Sequence, residues 1–241
     1  MLNWLKYILE LLLLIPLFPF LVYKGKELRK RIKKMPPRSE FLHLPSEKSA
    51  TKNLLIIGES TAAGVGASAK ETTLAAKTAS FLYGKFHVYK LGKNGLTASR
   101  LPRLLAHGKP DNPNHFEVAV LMIGANDCFK FYPPWKFRLE IEKMCKLLTN
   151  KKQVKHIILP MIPPVQQFPA IPKIMRFFLG WHRRILIHEM RKLAGAHPEI
   201  DLIELNGNYA AEFFAEDGIH PSDFGYEKMA TEIARRIHVH A

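Results

Sequence analysis

The sequence predicts a three-layer α/β/α sandwich with a central parallel sheet, preceded by an apolar N-terminal helix. Three observations carry this. Branched apolar runs such as Leu54–Ile57 and Val118–Ile123 read as strands buried on both faces. Segments with helical apolar spacing separate these runs, and regular alternation of strand and helix implies a parallel sheet covered on both sides. Finally, Leu2 to Tyr23 is almost wholly apolar and is followed at once by a dense run of basic residues.

Composition sets the outer bounds. A chain of 241 residues fits one catalytic-size domain plus an appendage. With 47% hydrophobic and 24% charged residues it belongs with folded chains, not disordered ones. Cys128 and Cys145 are the only cysteines, too few for a disulfide framework and without metal-ligand spacing. The formal charge of +15 makes an anionic surface a natural neighbour.

The N-terminal segment, residues 1–23, predicts a membrane anchor. As a helix, the stretch Leu2–Tyr23 would extend about 33 Å, enough to cross a hydrocarbon core. Its uninterrupted part, Leu11 to Val22, is shorter and holds Pro16 and Pro19. Lys6 and Glu10 stand at i,i+4 and can pair near one membrane interface. A cleaved signal peptide would need basic residues before the apolar run and a small-residue site after it, and both are missing. Residues 24–41 form a basic collar and linker: seven of the eleven residues Lys24–Lys34 are Lys or Arg, and Met35-Pro36-Pro37 follows. The positive-inside rule then puts the collar, and the domain behind it, on the cytoplasmic side.

The globular domain spans 42–241. Its first strand, Asn53–Ile57, ends abruptly at Gly58-Glu59-Ser60. Glu71–Lys85 has helical apolar spacing, Phe86–Leu91 alternates as a short strand, and Gly92-Lys93-Asn94-Gly95 is a turn. Thr97–Ala106 reads as a helix. Val118–Ile123 is a buried strand halted by Gly124-Ala125-Asn126-Asp127. Phe137–Thr149 is helical, and Val154–Met161 is a strand closed by Pro163-Pro164. Gly180–Ala194 is a helix and Ile200–Leu205 a further strand. The last helix runs from Ser222 or Asp223 to about Ile237, with Ser222 as its N-cap.

Each of several strands is followed by a polar signal. If the strands are parallel, these loops share one rim, where open α/β sheets place their ligands. A serine hydroxyl is a weak nucleophile and needs a base within hydrogen-bond reach. His220 is the candidate base, and Asp217 can turn back to hold its Nδ1–H. The backbone N–H groups of Ser60 and Gly95, with the side-chain amide of Asn126, can supply three donors to a tetrahedral oxyanion. Losing one such donor typically costs about 3–4 kcal/mol of transition-state stabilisation. Taken singly, each residue also has a structural reading: Asp217 and His220 as a loop ion pair, Asn126 and Asp127 as turn or cap residues. Asp127 is assigned to structure. His87, His107, His115, His156 and His182 lack an acidic neighbour in a strand-end loop and are read as surface or packing residues.

Taken together, Gly58-Glu59-Ser60, Asn94-Gly95, Gly124-Ala125-Asn126-Asp127 and Asp217-Gly218-Ile219-His220-Pro221 resemble the motifs of the SGNH family of GDSL-type hydrolases, in that family's order. The resemblance covers roughly Asn53–Ile237. It implies a flavodoxin-like sheet and a serine esterase or lipase acting on acyl esters without metal or cofactor. It also implies Ser60, Asp217 and His220 as catalytic residues and Ser60, Gly95 and Asn126 as the oxyanion hole. The family's first motif usually has Asp before Ser, whereas this chain has Glu59. The apolar, proline-stiffened stretch Met161–Pro172 follows a strand, so it too hangs over the rim and suits an acyl pocket. Core packing accounts for it equally well.

With the anchor, these features predict a hydrolase of lipophilic esters at an anionic membrane surface. Removal of acetyl groups from carbohydrate, thioester hydrolysis, and a weakly catalytic membrane-tethered acyl-binding protein remain alternatives. Nucleic acid is not expected as a partner, because much of the excess charge lies beside the apolar segment and no nucleic-acid motif is present.

Overall fold

The computed structural model describes residues 2–46, 52–108, 113–205 and 209–240. Met1 and Ala241, the outer limits of the expected segments, lie outside them. A six-stranded sheet forms the centre, built from β1 (Phe41–Leu44), β2 (Lys52–Gly58), β3 (Phe86–Gly92), β4 (Val118–Met122), β5 (His156–Pro160) and β6 (Ile200–Ile203). The strand order is β1-β3-β2-β4-β5-β6. Without β1 it is the 2-1-3-4-5 order of flavodoxin-like sheets. Leu54 to Ile57 and Val118 to Leu121 are fully buried, as expected for inner strands covered on both faces.

The sheet is mixed instead of wholly parallel, because β1 pairs antiparallel with β3 at the edge. This strand was not predicted. It has only four residues, all of them partly or fully exposed, and carries no apolar run. The helices are α1 (Leu2–Arg31), α2 (Leu74–Phe81), α3 (Leu101–Ala106), α4 (Ala125–Phe129), α5 (Pro134–Lys152), α6 (Lys173–Ala196) and α7 (Asp223–His240). Ser222 caps α7 as predicted, accepting the Gly225 N–H at 3.2 Å. Helix α6 starts seven residues before the predicted Gly180, at the first helical position after Pro172.

Helix α1 corrects the expected N-terminal organisation. It continues past Tyr23 through most of the basic collar to Arg31, and Pro16 and Pro19 do not end it. Lys, Arg and Glu favour helix, and Glu27 meets Lys24 at 2.9 Å and Arg31 at 3.7 Å. Glu10 does not pair with Lys6. Its side chain is buried and lies 2.8 Å from Nδ1 of His182, itself fully buried on α6. Asn3 donates to Glu189 of α6 at 2.6 Å, and Leu14 and Leu21 pack with Phe178. Asn3, Tyr7, Glu10, Leu14 and Leu21 recur at intervals of three, four and seven, and so share one face. The helix therefore turns Asn3 and Glu10 inward against α6 and leaves Leu5, Leu9 and Leu13 exposed. By length and mean hydropathy, 2.1 over its most apolar window, Asn3–Leu28 is long enough to cross a membrane.

Candidate active site

Strands β2, β3 and β4 run parallel in one register, with Gly58 opposite both Gly92 and Met122. Their carboxyl ends therefore deliver Ser60, Gly95 and Asn126 to the same rim. Beyond Ser60 the chain turns and runs against α7 and the loop before it. Tyr226 of α7 donates to the Val65 carbonyl at 2.6 Å, and the Ser68 N–H donates to Asp223 at 2.8 Å. Gly66 has φ +97°, and a Cβ there would stand 2.4 Å from the Pro221 carbonyl oxygen and 3.0 Å from the His220 Cβ. A glycine is thus what lets the serine loop lie against the histidine loop.

In that loop Asp217 accepts three hydrogen bonds. The N–H groups of Ile219 and His220 each donate to Oδ1 at 2.9 Å, and His220 Nδ1 lies 2.5 Å from Oδ2. Burial acts to raise the Asp217 pKa, but the His220 ring and N–H, its charge and the Ile219 N–H outweigh burial and hold the carboxyl below its ordinary value. An ionised Asp217 fixes the ring with Nδ1 protonated, which leaves Nε2 free to accept a proton.

Ser60, Asn126 and His220 border a single cavity of about 860 Å³, and Asn94, next to Gly95, borders it as well. Among the described residues Ser60 and His220 form no hydrogen bond with each other; they meet only across this cavity. Such bonds commonly tighten when substrate binds. Among the described residues the Ser60 and Gly95 N–H groups donate to no other group. Gly95 is read from the sequence as a backbone N–H donor. The structure adds a conformational reason for glycine there: its φ is +73°, while a Cβ would meet no protein atom within 4 Å.

Two buried carboxylates brace the rim. Glu59 accepts the N–H of Ala125 at 3.0 Å, the N–H of Asn126 at 3.1 Å and the Asn126 side-chain amide at 2.6 Å. It thereby caps the first turn of α4 from another strand and holds the Asn126 side chain. Burial, opposed by the Asn126 and Ala125 hydrogen bonds and reinforced by Asp127, pushes Glu59 up to about 7. Asp127 accepts the Ala98 N–H at 3.1 Å, tying α4 to the loop after Gly95. Burial pushes it up to about 6.

The other histidines do not join this group. His115 pairs with Glu117 at 2.6 Å just before β4, at the opposite end of that strand. His182 is paired to Glu10 instead of merely packed. The Met161–Pro172 stretch divides its work: Ile162 and Val165 are fully buried core, while Met161, Phe168 and Ile171 border the cavity. Arg183 holds the stretch by donating to the Ile162 and Pro163 carbonyls at 2.8 and 2.9 Å.

The fold is an α/β sheet in flavodoxin-like order, with serine, asparagine and an Asp–His pair around one rim cavity. Residues 56–228 match the GDSL-like Lipase/Acylhydrolase family, and the chain belongs to that family. It is a carboxylic ester hydrolase acting on an acyl ester. A search of the curated proteins finds no match. Among solved structures, the chain resembles a carbohydrate acetylesterase family member from Sinorhizobium meliloti, at 18% identity and TM-score 0.59, covering 79% of this chain and 99% of that one. It is also similar to the Mycobacterium smegmatis ("M. Smegmatis") aryl esterase, at 18% identity and TM-score 0.57, over 79% of this chain and all of that one. A lipolytic protein of the G-D-S-L family from Veillonella parvula matches at 15% identity and TM-score 0.61, over 77% and 97% of the two chains. At these identities the likeness is one of fold.

Proposed function

We propose that this hydrolase cleaves lipophilic acyl esters through an acyl-enzyme on Ser60, working at a membrane surface. The observation that carries the catalytic reading is the 2.5 Å contact of Asp217 with His220 Nδ1, with Ser60 and His220 on the walls of one cavity. His220 Nε2 takes the proton of the Ser60 hydroxyl as its oxygen attacks the ester carbonyl. Asp217 stabilises the imidazolium formed. The Ser60 and Gly95 N–H groups and the Asn126 amide receive the oxyanion. His220 then returns the proton to the leaving alcohol, and water, activated by the same imidazole, hydrolyses the Ser60 ester.

The membrane reading is supported by the exposed apolar side of α1 and by the collar of cations at its end. The packing of Asn3 and Glu10 against α6 favours a helix lying in the plane of one leaflet over one that crosses the bilayer. The positive-inside rule concerns spanning helices, so we assign the collar to contact with anionic headgroups. The size and apolar lining of the cavity favour this substrate over an acetyl group on carbohydrate.

Purified protein should cleave p-nitrophenyl acyl esters and be labelled at Ser60 by a fluorophosphonate probe. Ser60→Ala should lose both while keeping the parent's circular dichroism. Equal turnover by parent and variant would exclude Ser60 as nucleophile.

A further inference from the structure

We infer that α1 is not only an attachment device but one wall of the acyl-chain site, so that the preferred substrate is an ester of a medium- or long-chain acid. This rests on the ester-hydrolase reading above and goes beyond it by naming the part of the substrate that α1 recognises.

The cavity bordered by Ser60, Asn126 and His220 is also lined by Leu11, Leu14, Ile15, Phe18, Leu21 and Val22 of α1. These residues recur every three or four positions and form a single apolar stripe along the helix. The catalytic domain lines the same cavity with Phe129, Phe168 and Ile219. A chain attached at the Ser60 carbonyl would therefore lie between two apolar surfaces, one from the catalytic domain and one from the N-terminal helix. Ile15 and Phe18 border this space yet are 67% and 63% exposed. Large side chains left uncovered inside a groove mark area that a ligand can bury.

The wall is held in place by more than apolar contact. A helix serving only as a tether would have no reason to place Asn3 and Glu10 against Glu189 and His182, with the Glu10 and His182 side chains withdrawn from solvent. These contacts fix both the rotation and the height of α1, and so decide which of its faces meets the cavity. An acetyl group would occupy only the end of the groove nearest Ser60. Each further methylene buried there should raise kcat/KM by up to about fourfold, equivalent to about 0.8 kcal/mol.

Phe18 and Phe20 provide a matched pair for the test. They are two residues apart, so they point to nearly opposite sides of the helix; both are exposed, but only Phe18 borders the cavity. The full chain in detergent solution would be assayed for kcat/KM on p-nitrophenyl acetate and p-nitrophenyl decanoate. The parent should favour the decanoate. Phe18→Ser should lower the decanoate-to-acetate ratio by about tenfold, whereas Phe20→Ser should keep it within about twofold. An unchanged ratio in Phe18→Ser, or an equal fall in both variants, overturns the assignment of α1 as a wall. If the parent cleaves neither ester, or Ser60→Ala cleaves both as well as the parent, the hydrolase reading itself fails and takes this one with it.

Discussion

The Asn126 side-chain amide lies 2.6 Å from Glu59 Oε2, so the residue beside the proposed nucleophile orients a donor of the proposed oxyanion hole. The same carboxylate accepts the N–H groups of Ala125 and Asn126. The amide has a second N–H, which remains for the substrate. Glu59→Gln keeps one acceptor oxygen and turns an NH₂ toward donors that need an acceptor. We expect kcat on a p-nitrophenyl ester to fall roughly tenfold or more with KM nearly unchanged, since an interaction made only in the transition state is lost. A Gln variant with parental kcat would show that the carboxylate is dispensable.

Glu59 also links stability to pH. Its folded pKa, about 7, lies above the unfolded value near 4.5, so between these limits the folded state binds more protons than the unfolded. Stability therefore falls as pH rises from about 4.5 to 7, by roughly 3 kcal/mol for this group. Asp127 acts in the same direction between about 4 and 6. Asp217 acts oppositely: its depressed pKa gives stability that is present above about 4 and lost as pH falls through the folded value. Denaturant titrations at pH 5, 6 and 7 should show declining stability in the parent and a shallower decline in Glu59→Gln. Parallel curves would exclude Glu59 as a source.

Asp217→Asn should retain the loop but lose the charge that stabilises the imidazolium. With its oxygen at the Oδ1 position the carboxamide can still accept both the Ile219 and the His220 N–H groups, so the turn keeps its acceptor. We expect kcat to fall by about 10²- to 10⁴-fold with a far smaller change in thermal midpoint. A loss of activity matched by unfolding would assign Asp217 to structure alone.

The sheet and the rim were legible because their signals are local. Leu54–Ile57 and Val118–Ile123 are apolar runs that admit few other readings, and each ends at Gly with a polar residue one or two positions on. The role of Glu59 was not legible: reading it as a substitute for Asp says nothing of the α4 N-terminus, which lies sixty-six residues further on. The edge strand β1 escaped because its pairing with β3 depends on backbone partners and not on side-chain pattern. For α1, the overall apolarity concealed a second signal. Asn3, Tyr7, Glu10 and Leu14 have helical spacing, and two polar groups on one face of an apolar helix point to a protein neighbour on that face. The partner residues, His182 and Glu189, lie far along the chain, and no pattern within residues 1–31 names them.

That buried face leads to a prediction that runs against hydropathy. Glu10→Leu makes α1 more apolar, yet it leaves His182 Nδ1 without its partner in a fully buried position. Leaving a buried polar group without its partner costs roughly 1–3 kcal/mol, which a leucine regains poorly where the surroundings are shaped for a carboxylate. The penalty falls on docking of α1, because the catalytic sheet has its own core. In the parent, amide hydrogens of Asn3–Leu14 should exchange more slowly in detergent than the helix alone would account for. Glu10→Leu should speed that exchange, leave β2 and β4 as protected as before, and bind anionic vesicles at least as well as the parent. Glu10→Leu with His182→Phe, which removes both polar groups, should restore much of the protection. Unaltered exchange in the single variant would mean that the Glu10–His182 contact does not hold the helix to α6.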